Sequence, residues 1–259
     1  MSVSIEMDGR GVATLTIDRA EKRNAMDRAV IDGLRDAAER LGDDPAVRAV
    51  VLTGRGAVFC AGGDLGWMRE QMNATAAERE EGARALAGML GALDALPKPL
   101  IGQVNGDAFG GGVGLCCVCD VAVASDEARF GLTETRLGLI PATIGPYVAA
   151  RLGPRLRRVF MAPRILDAAE AVDLGIVAEA VPASTLDAAI ERQVRPYLDA
   201  APGAVAEAKA LARRLSNAPG QAEVDASVAA LVARWESDEA SEGVSAFFGK
   251  RRAAWMPSE

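Results

Sequence analysis

Residues 104 to 115 read Val-Asn-Gly-Asp-Ala-Phe-Gly-Gly-Gly-Val-Gly-Leu, an apolar strand end that runs into three successive glycines and then a helix. Three glycines in a row carry an entropic cost that an ordinary turn does not need, so the backbone here takes unusual angles or admits a close approach. A strand, a glycine turn and a helix start also leave unpaired N–H groups pointing one way, a place suited to developing negative charge. A plain tight turn explains the stretch equally well on its own, and the rest of the chain has to decide.

The same pattern occurs once earlier. AVFC (57–60) reads as a short strand, and Ala61-Gly62-Gly63-Asp64-Leu65 turns it into a helix. The segments VRAVVLT (47–53) and PLIGQV (99–104) read as strands, the first of the kind buried on both faces of a sheet. Upstream, residues 2–7 and 11–17 predict two strands joined at Asp8-Gly9. The spacing of Val30, Leu34, Ala37, Ala38 and Leu41 predicts a helix over 26–41, stopped by Gly42-Asp43-Asp44-Pro45. Between them the loop DRAEKRNA (18–25) gathers Arg19, Lys22 and Arg23, for which a solvated turn is the plainer reading.

Residues 64–96 predict a helix interrupted at Asn73-Ala74-Thr75, with Thr75 and Glu78 spaced as a capping box. DVAVAS (120–125) is another short strand, Glu134 falls in a loop, a helix around 167–174 ends at Gly175, and IVAEAV (176–181) is a last strand. From Leu186 onward the reading is helical, with breaks near Pro202, Pro219 and Gly243. The alternation predicts an α/β fold of repeated ββα units rather than separate domains.

Half of the 259 residues are hydrophobic and a quarter charged, the composition of a globular protein with a sizeable core. The chain opens without a basic, apolar leader, and no window holds the roughly 18 apolar residues of a membrane span. The expectation is therefore a cytoplasmic protein with no membrane partner. A formal charge of −7 argues against nucleic acid as a partner. The absence of histidine removes Ser-His-Asp and Cys-His catalysis and the commonest ligand for zinc or iron. Cys60, Cys116, Cys117 and Cys119 include a lone CxxC with no second pair, which reads as small buried residues and no metal site.

Carboxylates and backbone dipoles remain. The two glycine turns could bring N–H donors from different parts of the chain onto one oxygen, the geometry of an oxyanion hole, with helix N-termini behind them. No GxxxxGK[ST] occurs, and GGGVGL lacks GxGxxG spacing, so a phosphate cradle is the weaker reading.

The strings FCAGGDL (59–65), VNGDAFGGGVGL (104–115), CDVAVASDEARFGLTETRLGLIP (119–141), AAEAVDLGIVAEAV (168–181) and SAFFGKRR (245–252) resemble the enoyl-CoA hydratase/isomerase (crotonase) superfamily, in order and spacing along nearly the whole chain. The resemblance implies a crotonase-like spiral core over 1–200, a helical C-terminal oligomerisation region over 201–259, and a homotrimer or a hexamer made of two trimers. It implies an acyl-CoA thioester as substrate and no separate cofactor. By position, the donors would be the N–H groups of Gly63 and Gly111, and Glu134 the acid/base. Contacts to substrate would come from Lys22, Arg23, Ala25, Ala61, Asp64, Leu65, Gly114 and Pro141, and from Lys250 of the same or a neighbouring subunit.

The family's hydratases use two glutamates, and the second position falls on Gly114 here. One carboxylate then has to serve both proton transfers, or a water chain has to help. The segment GLIPATIGPYV (138–148) resembles the methylglutaconyl-CoA and isohexenylglutaconyl-CoA hydratases, which implies a branched substrate with a distal carboxylate. Arg69 and Arg136 are candidate partners for it by position. The alternatives are a Δ3-Δ2 enoyl-CoA isomerase using Glu134 alone, or an acyl-CoA binder without catalysis.

Overall fold

The computed structural model describes residues 2–216 and 218–256. The N-terminal strands β1 (Val3–Met7) and β2 (Val12–Ile17) pair antiparallel. Their turn has four residues, with Asp8 Oδ1 accepting from the N–H groups of Arg10 and Val12. Helix α1 (Arg28–Asp43) follows, capped by Asp27, whose carboxylate accepts from Val30 N–H.

The chain then winds through two sheets. Strands β3 (Ala49–Gly54), β5 (Leu100–Val104), β7 (Val121–Ser125) and β9 (Glu179–Val181) extend the first pair into a six-stranded sheet of order β1-β2-β3-β5-β7-β9, parallel beyond β2. Strands β4 (Val58–Cys60), β6 (Asp107–Phe109) and β8 (Phe130–Gly131) make a small parallel sheet. Each pass therefore visits the large sheet, then the small one, then a helix: β4 leads to α2 (Leu65–Asn73) and α3 (Ala76–Ala95), and β6 leads to α4 (Gly111–Val118). This is the repeated ββα spiral, and Thr75 and Glu78 form the capping box that opens α3.

Side-chain alternation explains why the strands are apolar throughout. Val50 and Leu52 of β3 face the main core, while Ala49 and Val51 face the other side. That second face is covered by α7 (Leu186–Leu198) through Leu186, Ala189, Ile190 and Val194. The four cysteines lie buried as free thiols, and burial pushes the Cys60 thiol up to about 12.

Two sequence expectations are corrected. The strand over 99–104 does not run directly into the glycines, because β6 intervenes: its three residues are too few for a periodic signal, and its place is set by pairing with β4 and β8. Gly243 does not break a helix but lies inside α10 (Asp238–Phe248). A Cβ there would collide with the Leu137 carbonyl, so the glycine exists for close packing rather than for a turn.

Helices α5 (Gly145–Leu152) and α6 (Ala168–Leu174) complete the core, the latter closed at Gly175 with φ +86°. In the C-terminal region, α8 (Pro202–Leu215) is tied to the core by Lys209–Asp120 and Arg213–Asp94 ion pairs. Helix α9 (Gln221–Trp235) packs Val228 on Ala83 and Ala87 of α3, and α10 packs Ala240 and Val244 on Leu139. Among the described residues, no helix is long and apolar enough to cross a membrane.

Candidate active site

A short bridge brings the two glycine turns together. Met26 N–H donates to Gly62 O (2.7 Å), and Asp64 N–H donates to Met26 O (2.9 Å), so Gly63 lies between two bonded groups with its own N–H outside the ladder. The Met26 side chain reaches across to Gly111, where an added Cβ would collide with Met26 Cε. One residue thus fixes one turn by its backbone and covers the other with its methyl group. Gly111 is the first residue of α4 and has no helical acceptor upstream. Among the described residues, neither Gly63 nor Gly111 N–H has a backbone acceptor.

Positive φ makes this possible. Gly62 has φ +91° and Gly110 φ +51°, regions closed to most side chains. Both flank a cavity of about 400 Å³ whose wall includes Gly63, Gly111 and Glu134. A Cβ on Gly110 would lie only 3.0 Å from Glu134 Oε1, so the carboxylate leans directly over the second turn.

Glu134 opens a 3₁₀ turn, Glu134–Leu137, closed by Gly138 at φ +69°. Arg234 Nε of α9 donates to Gly138 O, and α10 backs against the turn. Burial pushes the Glu134 carboxyl up to about 7, against the pull of the Glu134 and Thr133 backbone N–H groups. Its Oε2 is buried and has no hydrogen-bond partner among the described residues. A carboxyl held near neutrality beside two free N–H donors can both take and return a proton at physiological pH.

The remaining site candidates divide. Ala61, Leu65 and Pro141 line the cavity, with Leu65 half exposed at its mouth. Asp64 does not: its Oδ1 accepts from Gly66 and Trp67 N–H to cap α2, and its Oδ2 accepts from Arg19 Nη2 at 3.3 Å. Gly114 is also outside the wall, because the Ile144 side chain stands over it. Lys22 and Arg23 are exposed and Ala25 is buried behind Met26, but the loop runs beside the first turn, since Ala61 N–H donates to Arg23 O (3.1 Å). Lys250, with φ +50°, is exposed beyond the end of α10 and outside the cavity wall.

Of the two arginines, Arg136 lines the cavity, whereas Arg69 lies 4.5 Å over the Phe248 ring. Arg136 and Glu134 are the only charged side chains in the wall among the described residues. Arg136 Nη2 donates to Pro163 O (2.9 Å), and no carboxylate among the described residues is in ion-pair range of it.

Sequence reasoning missed three features. Asn24 is fully buried at φ +54°, donating to Arg55 O and Val58 O while accepting from Arg19 N–H, and so shapes the basic loop. An asparagine in a turn after basic residues was the available signal. Thr143, 3% exposed, lines the cavity with an unpartnered Oγ1. Leu231, Trp235 and Phe247 form part of the wall, so α9 and α10 roof the site of their own chain.

Comparison with known proteins gives one answer at every level. The sequence model described as enoyl-CoA hydratase/isomerase matches residues 8–257. The chain is 34% identical to the carnitinyl-CoA dehydratase of Proteus mirabilis (strain HI4320), over 98% of this chain and 99% of the relative. An enoyl-CoA hydratase structure from Mycobacterium avium superposes with TM-score 0.88 at 31% identity, covering 98% of this chain and 99% of the other. AtuE of Pseudomonas aeruginosa superposes with TM-score 0.81 at 36% identity, again over 98% and 99%.

Proposed function

Because the chain belongs to the enoyl-CoA hydratase/isomerase family, we propose that it hydrates an acyl-CoA thioester whose acyl group carries a distal carboxylate, as a branched glutaconyl group does. Family membership by itself supports a lyase of enoyl-CoA hydratase type acting on an acyl-CoA thioester. The narrower substrate rests on one observation. Glu134 and the exposed Arg136 are the only charged side chains of the wall among the described residues, and Arg136 has no carboxylate partner among them. A carboxylate at the far end of the acyl group would supply that partner.

The chemistry follows from the wall. The N–H groups of Gly63 and Gly111 receive the charge that grows on the thioester oxygen, a contribution of roughly 10² to 10³ per donor, and the α4 N-terminus adds favourable potential. Glu134 takes a proton from water as its oxygen joins the β-carbon, and returns that proton to the α-carbon. Asp64, close to the first turn, does not oppose this charge freely, because Arg19 is paired with it and with Asp27.

The exposed C-terminal residues Leu211 (48%) and Leu215 (75%) of α8, together with the absence of any buried residue on that helix, support assembly with further copies of the chain. A second chemical reading, Δ3-Δ2 isomerisation, is favoured by the lone carboxylate in the wall. A panel of crotonyl-CoA, 3-methylglutaconyl-CoA, its isohexenyl analogue and a 3-enoyl-CoA separates these readings. Wild type is expected to hydrate the dicarboxyl substrates best, and Arg136→Gln to raise KM for those alone. Turnover of the 3-enoyl substrate only overturns the hydratase reading, and an equal effect of Arg136→Gln on crotonyl-CoA overturns the role of Arg136.

A further inference from the structure

A hydratase with one carboxylate must still hold its attacking water at two points, since a single hydrogen bond leaves the oxygen free to swing. The wall offers a second polar group. Thr143 is 3% exposed and belongs to the same cavity wall as Glu134, and its Oγ1, like Glu134 Oε2, is buried without a hydrogen-bond partner among the described residues. Leaving a buried polar group unsatisfied costs about 1–3 kcal/mol, so two such groups on residues of one cavity wall need a reason.

The neighbouring residue supplies it. Ile144 fills the space over Gly114, with Cγ2 2.8 Å from the point a Cβ would occupy, which closes that route into the cavity to any longer side chain. The segment Pro141-Ala142-Thr143-Ile144 therefore blocks one position with Ile144 and sets a threonine in the wall beside it. Thr135 Oγ1 is also buried without a partner, but Thr135 is not part of the wall.

We infer that Thr143 Oγ1 and the Glu134 carboxylate together hold the water that adds to the β-carbon, which makes Thr143 a catalytic residue. This rests on the hydratase reading. Water gives one hydrogen bond to Glu134 and the other to Thr143, which leaves an oxygen lone pair for the β-carbon. The C–O bond forms, the C=C π pair moves to the α-carbon and thioester as an enolate, and the proton passes to Glu134. Glu134 then protonates the α-carbon, so H and OH are added across the double bond and both residues return to their starting states.

The test compares wild type, Thr143→Val and Thr143→Ser in three measurements: hydration kcat on the best substrate of the panel, the Kd of butyryl-CoA, and exchange of the butyryl-CoA α-proton in D₂O. Exchange needs the oxyanion hole and Glu134 but no added water. Thr143→Val is expected to lose about tenfold or more in hydration kcat, with Kd and exchange within about threefold of wild type, and Thr143→Ser to recover most of the loss. Hydration by Thr143→Val within threefold of wild type overturns the inference. So does a parallel loss of binding, exchange and hydration that Thr143→Ser fails to restore, which marks a packing role. If wild type hydrates no substrate of the panel but exchanges the α-proton, it is the hydratase reading that fails, and the role of Thr143 falls with it.

Discussion

Ile144 Cγ2 stands 2.8 Å from the point that a Cβ on Gly114 would occupy, and Ile144 Cβ only 3.1 Å from it. The lack of a second carboxylate is therefore built into the packing around α4 as well as into the residue at 114. Gly114→Glu is expected to destabilise the fold by about 2 kcal/mol or more through overpacking rather than to install a working acid. The double variant with Ile144→Ala should recover part of that loss. Denaturant midpoints of the two single variants and the double variant measure the coupling, and strict additivity would refute the contact.

Glu134 gives a pH dependence with a definite sign. Its carboxyl titrates near 7 in the fold against 4.5 for the free group. If it acts first as a base, kcat/KM should rise as pH increases through about 7 and level off above. Stability should move the other way. The folded state binds more protons than the unfolded one between pH 4.5 and 7, so stability is fully present below 4.5 and is lost as pH rises through 7, by up to about 3 kcal/mol. Glu134→Gln should abolish that slope and lower kcat by roughly 10² to 10⁴. Chemical denaturation at pH 5 and pH 8, paired with pH–rate profiles, checks both halves.

Asn24 holds the basic loop by three hydrogen bonds in a left-handed conformation. Asn24→Ala leaves part-buried backbone groups of Arg55, Val58 and Arg19 without that partner, and a loss of about 1–3 kcal/mol is expected. The loop runs beside Ala61 and the Gly62-Gly63 turn, so KM for acyl-CoA should rise as well. A variant with unchanged thermal stability would show that the loop is held by other contacts.

Gly243 allows α10 to seat against the turn that carries Glu134. Gly243→Ala would have to displace either Leu137 or the helix, and the Glu134 carboxylate would shift with the turn. We expect kcat to fall by about tenfold or more, since small displacements of a catalytic group are costly, while a surface control, Gly203→Ala, has open space around it and should leave kcat unchanged. Steady-state kinetics of the two variants decide the point.

Much of the chain could be read directly from residue order. The N-terminal hairpin, α1 with its stop at residues 42–45, the Thr75–Glu78 capping box and the Gly175 end of α6 all rest on near neighbours, and local rules reach them. The two glycine turns were visible for the same reason. β6 was not, since three residues carry no period, and neither was Gly243, whose cause lies more than a hundred residues away at Leu137.

Sequence alone thus determined the α/β class, the repeated ββα order, the two glycine turns and the absence of histidine from any mechanism. The tertiary structure decided which groups meet. It laid Met26 across both glycine turns, leaned Glu134 over Gly110, set Arg136 in the cavity wall and Arg69 against Phe248, and put Ile144 over Gly114. The physical reason is that backbone conformation follows from neighbours in the chain, whereas burial, contact and the upward pull on the Glu134 carboxyl depend on distant segments sharing one small volume.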